Sequence, residues 1–316
     1  MEEWRNLIET VTKQVGQVIL GKEQEIREIM LAFLANGHVL LEDIPGVGKT
    51  TLALAFSKSM QLDYKRTQYT PDVLPSDLTG FSISRREEER FVYQEGSVFC
   101  NLLLADEINR TSPKTQSALL EVMEERRVTV EGVTRPVSEP FLVIATQNPQ
   151  GSAGTQLLPE AQVDRFMVSL SVGYPDYDSE LAMVLGVREK SRVEDVVSVL
   201  QGDTLRDIQN AVDQVYLKEN VGDYIVRLVR ATREHPELSC GGSPRASIAL
   251  VRMSRAAAFL NGRDYVIPSD VEEQFPYIIR HRITLDSAAR MNGRTKDAVI
   301  GEILQQTRCP SMGIRR

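Results

Sequence analysis

The sequence predicts an α/β core built on a parallel sheet flanked by helices, followed by a small all-helical unit. Three observations predict it. Residues 39–41 (VLL), 102–105 (LLLA) and 141–146 (FLVIAT) are unbroken apolar runs, the pattern of strands buried on both faces. Helical spacings separate these runs, so strand and helix patterns alternate. After about residue 178 the strand pattern stops, and helical patterns cover roughly 178–190, 203–217, 222–234, 244–261, 268–280 and 296–307. Pro175-Asp176 marks the boundary, which divides the chain into residues 1–175 and 176–316.

The chain in order justifies each element. Trp4, Leu7, Ile8, Val11, Val15, Val18 and Ile19 recur at helical spacing over residues 2–19, and Gly21 interrupts them. A second helix carries Ile26, Ile29, Met30, Phe33 and Leu34 and ends at Asn36-Gly37. The stretch HVLLEDIPGVGKTT, from His38 to Thr51, then runs from a buried strand through Pro45-Gly46-Val47-Gly48 into a helix opened by Lys49-Thr50-Thr51. That is the layout of a phosphate-binding loop. Glycines let backbone N–H groups converge on phosphate oxygens. The helix N-terminus adds partial positive charge, Lys49 adds a full one, and the Thr50 hydroxyl can bind Mg²⁺. The strict pattern has glycine where this chain has Asp43, a residue that tolerates unusual backbone geometry better than most.

Residues 65–70 read as the next strand, and Leu74-Pro75-Ser76-Asp77 as the start of a short helix broken by Gly80. Residues 81–83 and 91–93 alternate around a charged tip at 85–90, a projecting hairpin. The run at 102–105 ends in Asp106-Glu107. Two acids at the end of a buried strand, in a chain that has a phosphate loop, point to binding and hydrolysis of ATP or GTP. One carboxylate can hold Mg²⁺ and the other can orient or deprotonate water. Ser112 caps a helix running to Arg127, and residues 128–136 read as a second hairpin. The run at 141–146 places Asn148 at a strand's C-terminal edge, where ligands bind in doubly wound sheets. A loop at 150–157, a short helix from Leu158 into Asp164-Arg165-Phe166, and a last strand at 167–172 complete the core. Gly241-Gly242-Ser243-Pro244-Arg245 then puts a cation in a helix's first turn, against the helix dipole, which calls for an anionic partner.

Composition narrows the class. A net charge of −7 argues against broad nucleic-acid binding, which needs a basic face. Cys100, Cys240 and Cys309 are too few and too scattered for a disulfide framework or a metal site, so a reducing compartment is expected. No apolar run reaches about 18 residues, and the N-terminus MEEWRNLIET lacks a signal-peptide layout. A cytoplasmic chain is the expectation, with a disordered tail, CPSMGIRR.

The runs HVLLEDIPGVGKT, LPSDLTG, DEINRTSPKTQSALLEVMEE, TQNP and LPEAQVDRF, together with GGSPRA, resemble the AAA+ ATPases and more narrowly the MoxR family, from about residue 10 to 305. The resemblance implies a hexameric ring that hydrolyses ATP with Mg²⁺. It implies chaperone-like remodelling or activation of a client protein, in company with a von Willebrand factor A-domain partner. Pro45, Gly46, Val47, Gly48, Lys49, Thr50 and Thr51 fall on Walker A. Asp106 and Glu107 fall on Walker B, with Asp106 on the magnesium side and Glu107 as catalytic base. Asn148 falls on sensor 1, Arg165 on an arginine finger reaching into a neighbouring subunit, and Arg245 on sensor 2, in cis or in trans. Ile19 and Gly21 fall on the segment beside adenine. The hairpins fall on the helix-2 insert and the pre-sensor-1 hairpin. A chelatase-type metal-insertion motor and a nucleic-acid-stimulated motor are the alternatives.

Overall fold

The computed structural model describes residues 1–43, 46–85, 90–148, 158–185 and 193–310. Pro45, the tip at 86–89, the loop at 150–157, the end of the helix expected over 178–190, and the tail from 311 onward therefore lie outside the described residues.

Two helices, α1 (Glu2–Val18) and α2 (Glu23–Leu34), lead into strand β1 (Val39–Glu42). Helix α3 (Lys49–Ser59) and strand β2 (Tyr64–Gln68) follow, then α4 (Pro75–Thr79) and the hairpin β3 (Phe81–Arg85) and β4 (Arg90–Gln94). Next come β5 (Leu102–Asp106), α5 (Pro113–Glu125), the hairpin β6 (Arg127–Val130) and β7 (Val133–Pro136), β8 (Leu142–Gln147), α6 (Glu160–Val163) and β9 (Val168–Leu170). Helix α7 (Tyr177–Leu185) opens the second part, which continues with α8 (Gly202–Asp213) and α9 (Glu219–Glu234). Strand β10 (Leu238–Cys240), α10 (Pro244–Leu260), α11 (Pro268–Ile279), β11 (Thr284–Leu285), α12 (Ser287–Met291) and α13 (Lys296–Gln306) complete it. The helical part thus also carries a two-stranded antiparallel ribbon of β10 and β11.

Strands β2, β5, β8, β1 and β9 form one parallel sheet in that order. Strand β8 lies between the strand that feeds the phosphate loop and the strand that ends in the acid pair. All six of its residues are buried, as its unbroken apolar run requires. Period-2 geometry sends successive side chains to opposite faces. Leu102, Leu104, Leu142 and Ile144 join one apolar cluster, whereas Leu103, Ala105, Val143 and Ala145 join another. The first cluster is not confined to the sheet layer. It continues from α1 and α2 into α8, α9, α10, α11 and α13, through residues such as Ile8, Ile29, Ile208, Tyr224, Leu250, Phe275 and Ile300.

His38 directly precedes β1 and is buried. The Val143 backbone N–H donates to its Nδ1 at 3.1 Å, so the ring proton is on Nε2, which lies 3.1 Å from the Met123 carbonyl. Burial, with the charge of Arg126 adding to it, holds the His38 pKa well below its ordinary value. The last sheet strand is shorter than the run at 167–172 suggests. Residues 171–173 leave the sheet because Ser171, Val172 and Gly173 turn to the Asp43 carboxylate.

Candidate nucleotide site

The phosphate loop leaves β1 and delivers Gly46, Val47 and Gly48 to the N-terminus of α3. Gly46 and Gly48 have φ of 89° and 87°, in the left-handed region that glycine adopts at little cost. A Cβ on Gly46 would meet nothing within 4 Å, so open space lies over that turn. Lys49, Thr50 and Thr51 open α3, whose first N–H groups have no partner inside the helix. Lys49 Nζ donates to the Asp43 carbonyl at 3.1 Å.

Asp43 does not use a left-handed backbone. Its side chain explains its presence: it is 3% exposed and accepts from Ser171 Oγ at 2.7 Å, Val172 N at 2.7 Å and Gly173 N at 2.9 Å. The carboxylate therefore anchors the start of the phosphate loop to the chain leaving β9. Ile19 packs beside the same loop, since a Cβ on Gly48 would come within 3.6 Å of its Cδ1. Gly21 has φ 70°, and a Cβ there would lie 2.7 Å from Ser179 Oγ, so glycine is needed where α7 approaches.

The acid pair follows from the sheet order. Strand β5 ends at Asp106, and Glu107 takes a left-handed backbone with φ 58°. Such a conformation in a non-glycine residue costs on the order of 1 kcal/mol and needs support. Thr146, on the adjacent strand β8, provides it. The Glu107 N–H donates to Thr146 Oγ1 at 2.8 Å, and Thr146 Oγ1 donates to Asp106 Oδ1 at 2.7 Å. One hydroxyl thus fixes both acids. Gln68 Nε2 and Arg110 Nη1 donate to Glu107 Oε2 at 2.8 and 2.7 Å, and Arg66 Nη2 donates to Asp106 Oδ2 at 2.6 Å. The glycines, Lys49, Thr50, Thr51 and the acid pair line one cleft of about 610 Å³. Asn148 follows β8 at the same edge of the sheet, one residue beyond Gln147.

Arg165 and Arg245 line a different cavity, of about 460 Å³, which shares no lining residue with the cleft. Arg165 Nε lies 3.5 Å from Glu124 Oε2, and Arg245 Nη2 pairs with Glu124 Oε1. Within this chain, Glu124 offsets the charge that Arg245 places in the first turn of α10.

The chain matches the model of the ATPase family associated with various cellular activities (AAA) over residues 38–168, and the AAA lid domain over residues 230–303. It is 40% identical to a Mycobacterium tuberculosis protein named Chaperone MoxR1, over 96% of this chain and 83% of that one. The chain belongs to the MoxR family of AAA+ ATPases. It is also 45% identical to the uncharacterized protein YeaC of Bacillus subtilis, over 98% of this chain and 97% of that one. A crystal structure described as a candidate ATPase from Cytophaga hutchinsonii superposes with a TM-score of 0.89 at 39% identity, over 98% of this chain and 96% of that one. This MoxR-family chain thus carries an ATPase core and lid, and among its described residues no helix is long and apolar enough to cross a membrane.

Sequence reasoning missed Thr146, Gln68, Arg66, Arg110 and Glu124. The signal for Thr146 was a hydroxyl at the polar end of an otherwise apolar run. Gln68 ends β2 in register with Asp106, and Arg66, two residues earlier and opposite Leu104, reaches Asp106 with its side chain.

Proposed function

We propose that this chain is a Mg²⁺-dependent ATPase that works as a ring, as a hexamer, with residues 1–175 binding nucleotide and residues 176–316 forming the lid. The observation that carries the reading is the separation of Arg165 and Arg245 from the cleft of their own subunit. A subunit with the loop and the acids in one cavity and the arginines in another is suited to completing a neighbour's site.

The residues present fit the nucleotide. The loop from Gly46 to Gly48 offers backbone N–H groups, Lys49 offers charge to the terminal phosphates, and Ile19 and Gly21 border the base. Thr50 and Asp106 supply the hydroxyl and carboxylate that suit Mg²⁺. When bound, the ion neutralises charge on the phosphate oxygens. Glu107 accepts the proton of the attacking water on Oε1, while Gln68 and Arg110 hold its Oε2. Asn148 helps hold that water, and Arg165 and Arg245 of the neighbouring subunit stabilise the charge on the transferred phosphoryl group. The output is chaperone-like: remodelling or activation of a client in the cytoplasm, with a von Willebrand factor A-domain protein as partner. The name of the Mycobacterium tuberculosis relative supports the chaperone-like part of this reading.

The test is ATP turnover across a protein-concentration series, beside Glu107→Gln and Arg165→Ala. Turnover per subunit is expected to rise with concentration, and both variants to lose it while still binding ATP. Turnover per subunit that stays flat on dilution, with no ring by mass measurement, refutes the proposal.

A further inference from the structure

The cavity around Arg165 and Arg245 is strongly cationic. Arg126, Arg252 and Arg282 line it too, against two acids, Glu124 and Asp164. Arg282 is committed to structure. Its side chain is 2% exposed, and it donates to Asp164 Oδ1 at 2.8 Å and to the Met167 carbonyl at 3.2 Å. The other oxygen of Asp164 accepts from Ser243 Oγ at 2.8 Å, and Ser243 caps α10 by accepting from the Arg245 N–H at 3.1 Å. The residue before Arg165 is therefore tied to the cap of the helix that carries Arg245.

Glu124 closes this circuit from α5. Each of its oxygens takes one arginine. A guanidinium has five N–H donors; Arg245 donates one of them to Glu124, whereas Arg165 Nε is held by charge at 3.5 Å without a hydrogen bond. Among the described residues no further hydrogen bond holds either guanidinium, which leaves N–H donors for another anion. Two cations paired to one carboxylate repel each other, and the shared charge of Glu124 offsets that repulsion.

We infer that Glu124 is a positioning residue that gathers Arg165 of the core and Arg245 of the lid into one receptor for the terminal phosphate of a neighbouring subunit's nucleotide. This rests on the proposal that the two arginines act between subunits. Glu124 touches no nucleotide bound to its own subunit, because it lies outside that cleft. Its removal therefore acts on turnover and not on nucleotide binding.

The experiment compares Glu124→Gln, Glu124→Asp and Arg165→Ala at a protein concentration where the wild type is fully active, each alone and mixed with Glu107→Gln subunits, which keep both arginines. Glu124→Gln is expected to lose kcat roughly five-fold, with KM for ATP and binding of ADP within about two-fold of wild type. Glu124→Asp, which keeps the charge with a shorter reach, is expected to fall between. Mixing with Glu107→Gln is expected to restore turnover to the Glu124→Gln and Arg165→Ala subunits. Wild-type turnover by Glu124→Gln, with Arg165→Ala inactive and rescued by mixing, overturns the role of Glu124 and leaves the between-subunit reading standing. An Arg165→Ala variant that mixing does not rescue overturns that reading itself, and this inference with it.

Discussion

Glu28 offers a stability test that does not involve the nucleotide site. It is fully buried on α2, where the core meets the lid helix α11. Gln24 donates to its Oε1 at 2.9 Å and Arg27 at 3.3 Å, but Arg27 also pairs with Glu273 at 2.8 Å, so its charge is shared. Glu273 and Gln274 face it from α11, and Tyr277 reaches Gln24. Burial pushes the Glu28 carboxyl up from 4.5 to about 7, against the opposing pull of Arg27. An acid with a raised pKa holds its proton in the folded chain after the unfolded chain has lost it. Its contribution is complete below its unfolded pKa and is lost as pH rises through about 7. Between roughly pH 5 and pH 8 the loss comes to about 2.5 kcal/mol. Glu28→Gln removes the titration and keeps the shape. Thermal unfolding should show the wild type losing about 5 °C relative to the variant over that range. A wild-type-minus-variant difference that does not change with pH would refute the reasoning.

Two other substitutions separate side-chain roles in the site. Asp43→Gly restores the glycine of the strict phosphate-loop pattern, yet it strips the hydrogen bonds from Ser171, Val172 and Gly173. It is expected to lose about 2–4 kcal/mol in urea unfolding, and a variant as stable as the wild type would contradict this. Thr146→Val removes the hydroxyl shared by both acids. Turnover should fall roughly ten-fold or more with little change in nucleotide affinity, and a change in affinity alone would argue against that role.

Local patterns were legible because the forces behind them are local. The buried strands β1, β5 and β8 show as apolar runs, α1 and α9 as one-faced periodicities, and the phosphate loop as a short string of glycines next to a lysine. The Ser112 cap could be read from its residue type, and its Oγ accepts from Thr115 N. What stayed hidden depends on partners far along the chain. Ribbon β10–β11 joins strands of three and two residues, too short for any period to register. Glu124 is 121 residues from Arg245, and nothing in either neighbourhood announces the pairing. Asp43 read as a departure from a pattern because only folding brings residues 171–173 against it. The helix expected over 203–217 ends at Asp213, since Tyr216 pairs instead with the chain before α11.

The apolar cluster that joins α1 and α2 to the lid helices has a consequence for anyone who wishes to take the molecule apart. Cutting after residue 175 would follow the sequence motifs, but it would cut through shared interior, leaving Ile29 and Phe33 on one fragment and Leu250 and Phe275 on the other, each stripped of its cover. Deletion mapping would then report insoluble pieces and assign the lost activity to whichever segment was removed. Point substitutions in the intact chain are the way to apportion function here.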